Sequence, residues 1–236
     1  MQKYVVKEIQ RPTEELLQQY RKFDVSTIYE AQGKQGIMDH RLQPILSNTM
    51  IVGPAVTAIC QAGDNLMIHA AIEVCKPGDI LVITTEGDCV AGMLGELIVT
   101  ALIKKGVQGV VIDSGIRDVR QLRELGFPVW TRGVLSQGTN KIKGGWVNAP
   151  ANCGGVTVAP GDLIMADDDG VVVIKKEDFQ STIELSNARL AKEEGVKAKI
   201  ESGHISLDFY NLRPVLETEG VVYYENEEER VKVKKN

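Results

Sequence analysis

Leu94-Gly95-Glu96-Leu97-Ile98-Val99-Thr100-Ala101-Leu102-Ile103-Lys104-Lys105-Gly106 leads through Val107-Gln108 into Gly109-Val110-Val111-Ile112-Asp113-Ser114-Gly115-Ile116-Arg117-Asp118. Apolar residues at 94, 97, 98, 101 and 102 recur at helical spacing and Gly106 ends the run, so the spacing predicts a helix over 94–105. Residues 109–112 form a short apolar run of the kind that makes a buried strand. A helix leaving one edge of an α/β layer and a strand returning to it bring the helix start and the strand's C-terminal end back together. Open α/β sheets place their ligands at that end of the strands. Glu96, Arg117 and Asp118 are therefore expected as neighbours in space: two carboxylates and a guanidinium at one edge.

Working outward, strand-like segments at 51–52, 56–60, 80–84, 129–130, 156–158, 163–165 and 171–174 alternate with helix-like ones at 66–75 and 119–125. Pro77-Gly78, Pro160-Gly161 and Asp169-Gly170 mark turns between them. The early part of this region is helix-rich and the later part runs strand, turn, strand. A doubly wound parallel sheet does not predict that order, whereas a mixed sheet or layered sandwich does. Before it, 12–36 reads as helical, with Thr13 capping one segment and Asp24 or Ser26 a second. After it, a helix from 176 towards 201 carries an imperfect apolar stripe interrupted by Gly195, followed by 203–213 and a small helix after Pro214. The expected organisation is an α/β core with N-terminal helices over 1–175, a helical extension over 176–220 and a charged tail over 221–236. The extension packs on a neighbouring subunit or covers its own chain, and the charge run from Glu225 to Asn236 reads as a solvated or frayed terminus.

The chain of 236 residues is long enough to bury one core, and 43% hydrophobic and 25% charged residues place it among ordinary globular proteins. A net charge of −5, with no basic stripe and interleaved aromatics, argues against a nucleic-acid surface. Met1-Gln2-Lys3-Tyr4-Val5-Val6-Lys7-Glu8 lacks the apolar run of a signal peptide, and no stretch is long enough to span a bilayer, so a cytoplasmic chain is expected. Cys60, Cys75, Cys89 and Cys153 show no CxxC pairing and no local His partner; they read as reduced, partly buried thiols. There is no internal repeat and no low-complexity segment.

A glutamate beside the first turn of a helix has two consequences. The exposed amides there suit a carboxylate, and the side chain can hold a hard cation directly or through water. Asp118 adds a second oxygen ligand and Arg117 a fixed fork of donors. Together they suit a divalent metal that chelates a 2-keto acid, with the guanidinium stabilising an enolate. The plainer reading is that Glu96 favours the helix start while Arg117 and Asp118 cap the next helix or pair on the surface. The glycine before Glu96 and the glycine ahead of Arg117-Asp118, with a strand end between, favour the chemical reading.

These residues, in this order, resemble the RraA-like superfamily, which includes the class II 4-hydroxy-4-methyl-2-oxoglutarate / 4-carboxy-4-hydroxy-2-oxoadipate aldolases. Further matches are Gly63-Asp64-Asn65 with His69 after it, Pro77-Gly78-Asp79, Pro160-Gly161-Asp162 and Asp167-Asp168-Asp169-Gly170-Val171-Val172; the resemblance covers about 20–220. It implies an α-β-β-α sandwich related to swivelling domains, assembled as trimers or hexamers with active sites between subunits. It implies Mg²⁺ or Mn²⁺, with Asp118 as direct ligand and Glu96 as a ligand through water. Arg117 would stabilise the enolate, and the backbone around Gly95, Leu97 and Ile98 would hold the substrate carboxylate. Glu193, or Glu194 beside it, would reach the metal waters from an adjacent subunit; an exposed acidic helix face is the equal alternative. Twenty residues lie between Glu96 and Arg117, as in the aldolase pattern, but that pattern begins with Asp rather than Glu.

The implied activity is cleavage of a 4-hydroxy-2-keto acid to pyruvate and a second keto acid, with a base acting through metal-bound water and oxaloacetate decarboxylation as a side activity. Ser206-Leu207-Asp208-Phe209-Tyr210 resembles a segment of the aldolase-like members. The alternative is a non-catalytic regulator that binds an RNase. A methyltransferase is not supported, since no glycine-rich nucleotide loop follows a first strand. His69, in an apolar helix, reads as a packed or boundary histidine and His204 as structural. Asp167-Asp168-Asp169-Gly170 reads as a hairpin turn rather than a calcium loop. Arg132-Gly133 and Gly144-Gly145-Trp146 read as mobile loops that could border the site.

Overall fold

Alternating apolar residues build two packed faces in the protein, whose computed structural model describes residues 2–233. The chain enters on strand β1 (Tyr4–Val5) and helices α1 (Glu14–Tyr20) and α2 (Val25–Ala31). Thr13 caps α1 by accepting the Leu16 amide, and Asp24, rather than Ser26, caps α2 by accepting the Thr27 amide. Each bond satisfies a donor that a helix start otherwise leaves open. After β2 (Gln43–Pro44) comes β3 (Ile51–Gln61), eleven residues long in place of two shorter strands. Pro54 does not break it because the strand changes partner there: residues 51–54 pair with one neighbour and 55–61 with another. A proline's missing donor is tolerated where one strand edge is unpaired.

The chain then alternates α3 (Leu66–Val74), β4 (Ile80–Glu86), β5 (Gly92–Leu94), α4 (Glu96–Lys104), β6 (Gly109–Ile116), α5 (Val119–Glu124) and β7 (Val129–Val134). Short strands β8 (Trp146–Val147), β9 (Ala151–Cys153) and β10 (Val156–Val158) precede the hairpin β11 (Leu163–Asp167) and β12 (Gly170–Ile174). A 3-10 turn at Lys176–Asp178 leads to α6 (Phe179–Glu201), α7 (Ser206–Phe209), α8 (Arg213–Thr218) and α9 (Glu227–Val233). Residues 234–236 of the expected charged tail lie outside the described residues.

Strands β3, β4, β6 and β7 form a parallel centre, with β8 antiparallel on β3 and β2 antiparallel on β7. Hairpin β11–β12 pairs antiparallel with the first half of β3. Because side chains alternate across a sheet, Val56, Leu81, Val110 and Ile112 face Ile68, Val99 and Leu102 of the helices. On the other face Ile80, Val82, Val111 and Trp130 meet Ile164, Ala166, Val171 and Val173 of the hairpin. Helix α2 covers the hairpin from outside. The layers therefore run helix, sheet, sheet, helix. Two turns of the same sequence anchor them: Asp79 and Asp162, after Pro77-Gly78 and Pro160-Gly161, are both buried. Asp79 accepts the Lys76 amide at 2.7 Å and Asp162 the Ala159 amide at 2.9 Å.

Several sequence expectations are corrected. Helix α4 begins at Glu96 rather than 94, because Leu94 is taken by the strand pairing of β5 with β6. Arg132 and Gly133 belong to β7, not to a mobile loop, and Trp146 is a buried residue of β8. Of the two readings of His69, packed or boundary, the packed one is overturned: the residue lies on the outer face of α3, partly covered. Asp167 pairs with Gly170 across the tip of the β11–β12 hairpin, as a hairpin turn requires.

Two compact units divide the chain, Met1–Arg189 and Leu190–Asn236. Within the second, Asp208 pairs with Arg213 at 2.5 Å, and Lys199 Nζ stands 5.6 Å from the centre of the Phe209 ring. Among the described residues no helix is long and apolar enough to cross a membrane.

Candidate active site

Strand β6 is buried almost throughout and delivers Arg117 and Asp118 at its C-terminal end. Beside it lies β5, with Gly92 opposite Gly115 and Leu94 opposite Ile116. The Arg117 amide donates to the Leu94 carbonyl at 2.9 Å, so the chain after β5 is held against the chain after β6. Gly115 makes this approach possible, since a Cβ there would lie 2.0 Å from the Val90 carbonyl oxygen. Gly95 has the same role one layer out: its missing Cβ would lie 2.4 Å from Asp118 Oδ2 and 3.1 Å from Arg117 Nε. The sequence expectation that Glu96 and Arg117-Asp118 meet is thus met by the backbone itself.

Asp118 Oδ2 accepts the Glu96 amide at 3.1 Å and lies 3.7 Å from Arg117 Nε. The first amide to bond back within α4 is that of Val99, to Gly95 at 3.1 Å. The amides of Leu97 and Ile98 lie between these two and are the donors the helix start leaves for an anion. Asp118 adopts left-handed backbone angles, φ 57° and ψ 32°. Few residues other than glycine stand there without strain, and such residues gather at functional sites.

A cavity of about 340 Å³ is lined by Gly95, Glu96, Leu97, Ile98, Arg117 and Asp118. Glu96 and Asp118 are exposed, Ile98 is buried, and Leu97 presents an apolar side chain that is 85% exposed. Asn65, Met93 and Gln121 complete the wall. A larger hollow, about 390 Å³ around Gln32, Lys175 and Thr182, lacks any such pairing of acids with a guanidinium.

In the sequence Asn65 stands out only as part of Gly63-Asp64-Asn65. The structure shows why the motif matters. Asp64 is buried and accepts the amides of Ile142 at 2.8 Å, Leu66 at 3.0 Å and Lys143 at 3.0 Å. Burial alone would raise its pKa, but these three amides outweigh it and hold the carboxyl below its ordinary value. The start of α3 and the loop at 140–143 are thereby tied together, with Asn65 placed in the cavity wall. His69 is not in that wall; partial burial and nearby Lys141 lower its pKa.

Glu193 is half-buried and Glu194 exposed on α6, within the unit Leu190–Asn236. Among the described residues no cluster of three or more His, Cys, Asp or Glu side chains is placed to hold a metal ion. The cavity offers two carboxylates and neither Cys nor His; the one soft group in its wall, Met93, is fully buried. That set fits Mg²⁺ or Mn²⁺, which take hard oxygen ligands; Mg²⁺ in particular is held by one or two carboxylates, with water and substrate supplying the rest. The space that a Gly95 side chain would fill is where the Asp118 carboxylate sits.

A family model described as "RraA-like: Aldolase/RraA" matches residues 24–173. The chain is 32% identical over 196 residues to a Halalkalibacterium halodurans protein named "Putative 4-hydroxy-4-methyl-2-oxoglutarate aldolase", covering 83% of this chain and 93% of that one. A Shewanella oneidensis protein of the same name is 30% identical over 121 residues, 51% of this chain and 73% of its own. Among solved structures, Streptomyces coelicolor RraAS2, described as an unusual member of the RNase ES inhibitor RraA protein family, superposes with a TM-score of 0.71 at 29% identity. That match covers 80% of this chain and 99% of RraAS2. The extent of the family match, over the span that carries both sheets and the cavity, shows that the chain belongs to the RraA-like family.

Proposed function

We propose that the protein is a divalent-metal-dependent, class II lyase of the cytoplasm that cleaves a 4-hydroxy-2-keto acid to pyruvate and a second keto acid. The substrate is of the 4-hydroxy-4-methyl-2-oxoglutarate or 4-carboxy-4-hydroxy-2-oxoadipate type, with oxaloacetate decarboxylation as a side activity. One observation carries the reading: Asp118 is clamped on the Glu96 amide in the space left by Gly95, with Arg117 beside it, at the open end of α4. The names of the two aldolase-like relatives support it.

In this reading the amides of Leu97 and Ile98 bind the substrate's C1 carboxylate, and the Arg117 guanidinium holds the C2 oxygen. The C4 hydroxyl loses its proton towards the acid pair, the C3–C4 bond breaks, and its electrons pass to C3 and the C2 oxygen. Arg117 stabilises the negative charge that develops there, and C3 takes a proton to give pyruvate. Asp118 directly, and Glu96 and a neighbouring copy's Glu193 through water, would hold Mg²⁺ or Mn²⁺, which when bound would supply Lewis-acid polarisation of the keto acid. A trimer or hexamer provides that neighbouring copy.

The test is pyruvate release from 4-hydroxy-4-methyl-2-oxoglutarate and from oxaloacetate, with and without Mg²⁺, in the native chain and in Arg117→Ala and Asp118→Ala. Metal-dependent release that falls at least about a hundredfold in both variants supports the reading. Metal-independent turnover, or unchanged turnover in both variants, overturns it. A second reading, a regulator that binds an RNase, draws on the Streptomyces relative. Tight RNase binding without turnover of any 2-keto acid would favour that one.

A further inference from the structure

Asn65 has no part in the chemistry above, yet it lines the cavity. It stands at the N-cap of α3 without making a capping bond. Its Nδ2 donates instead to the Met93 carbonyl at 3.0 Å. That bond fixes which way the amide points, since the reverse orientation would set two acceptors against each other. Its backbone is pinned as well, the Asn65 amide donating to the Asn140 carbonyl at 2.9 Å. Oδ1 is left buried with no hydrogen-bond donor, on a residue only 3% exposed. Asn148 Oδ1 is also unmatched, but among the described residues with such atoms only Asn65 belongs to the wall shared with Glu96, Arg117 and Asp118.

A buried acceptor without a donor selects for a ligand that brings one. Carboxylate and keto oxygens only accept. In an ionised 4-hydroxy-2-keto acid the C4 hydroxyl is the sole donor. We infer that Asn65 is a specificity-determining residue whose Oδ1 accepts the C4 hydroxyl of the bound substrate, selecting 4-hydroxy-2-keto acids over those that lack the hydroxyl. The inference rests on the proposed lyase reading for the substrate class. An amide oxygen is no base, so the O–H must swing from Asn65 towards the acid pair before cleavage. Asn65 therefore acts on binding rather than on the bond-breaking step. Sites that hydrogen-bond a substrate hydroxyl reject the analogue without it, because their own polar group is then stranded.

Two ligands that differ only at C4 test this: 2,4-dihydroxyglutarate and 2-hydroxyglutarate. Neither has the 2-keto group that cleavage requires. Titration calorimetry on the full chain with Mg²⁺ should show at least about tenfold tighter binding of the dihydroxy acid. Asn65→Leu, and Asn65→Ser as a smaller polar variant, should bring the two affinities within about twofold of each other. With substrates, both variants should raise KM for the 4-hydroxy acid by a larger factor than KM for oxaloacetate. A purely structural residue would weaken both substrates together. Equal binding of the two ligands by the native chain, or a preference that survives in both variants, overturns the inference. Pyruvate release without a hydroxyl preference removes the Asn65 role alone. A hydroxyl preference without release removes the lyase reading and leaves Asn65 as a hydroxyl acceptor.

Discussion

A Cβ on Gly95 would stand 2.4 Å from Asp118 Oδ2, so the carboxylate occupies the place a side chain would take. The Gly95 backbone is extended, with φ −148°, and any residue can adopt it. Gly95→Ala is therefore expected to fold, with the cost confined to displacing the Arg-Asp pair. Pyruvate release should fall about a hundredfold for a shift of about an ångström, and the thermal midpoint by only a few degrees. Kinetics and thermal denaturation on the same preparation check both. An unchanged rate would detach Gly95 from the chemistry.

Glu96 takes the position where the aldolase pattern has Asp. Its proposed link to the metal runs through water, and a water can absorb one methylene. Glu96→Asp is expected to change kcat/KM for 4-hydroxy-4-methyl-2-oxoglutarate by less than about threefold, whereas Glu96→Ala should lower it by about tenfold or more. A large gain in Glu96→Asp would show direct contact and a chain built away from the aldolase optimum.

Two ion pairs fasten the N-terminal segment, Glu8 with Lys76 on the surface and Arg11 with a buried acid. Arg11 reaches both oxygens of the fully buried Asp79 at 2.8 Å. The bond to Asp79 raises the arginine's pKa. Arg11→Ala leaves a buried carboxylate without its charge partner and should cost about 3 kcal/mol. Adding Asp79→Asn to Arg11→Ala should recover part of that loss, which a double-mutant cycle in urea would measure.

Asp64 predicts an acid limb. Its pKa is lowered in the folded chain from an unfolded value of about 3.9, so the folded state favours the ionised form. The stabilisation is complete above that unfolded value and is lost as pH falls through the lower folded one. Asp64→Asn should cost about 2 kcal/mol at pH 7, and the gap in thermal midpoint from the native chain should narrow below about pH 4. A gap that stays constant down to about pH 2 would mean that the carboxylate's charge has no part in binding the three amides.

The sequence makes the site legible wherever a local rule governs it. Thr13 and Asp24 mark helix starts by capping, and the spacing of 94–118 brings Glu96 to Arg117-Asp118, because a helix and a returning strand leave little choice. What depends on partners distant in the chain is harder to read. Strand β6 continues through Asp113-Ser114-Gly115 because β5 and β7 bond to it there, and composition would end it at Ile112. Arg132-Gly133 looks like a loop but is paired with β6 through Gly115 and Gly133. Asn65 carries no local signal for the cavity, since its place depends on Asp64 gathering amides from 142 and 143. His69 sits in an apolar run but on the outer face of a helix too short for its periodicity to show which side is buried.

The left-handed backbone of Asp118 gives the chain a conflict of interest. By conformational energy alone, glycine or asparagine suits φ 57° better than aspartate does. Asparagine would keep an acceptor for the Glu96 amide as well. Selection for thermal stability would therefore drift towards Asp118→Asn or Asp118→Gly and, in the proposed reading, discard the metal-binding charge. A population of variants chosen only for heat resistance should lose Asp118 early, and one chosen for turnover should keep it despite the strain.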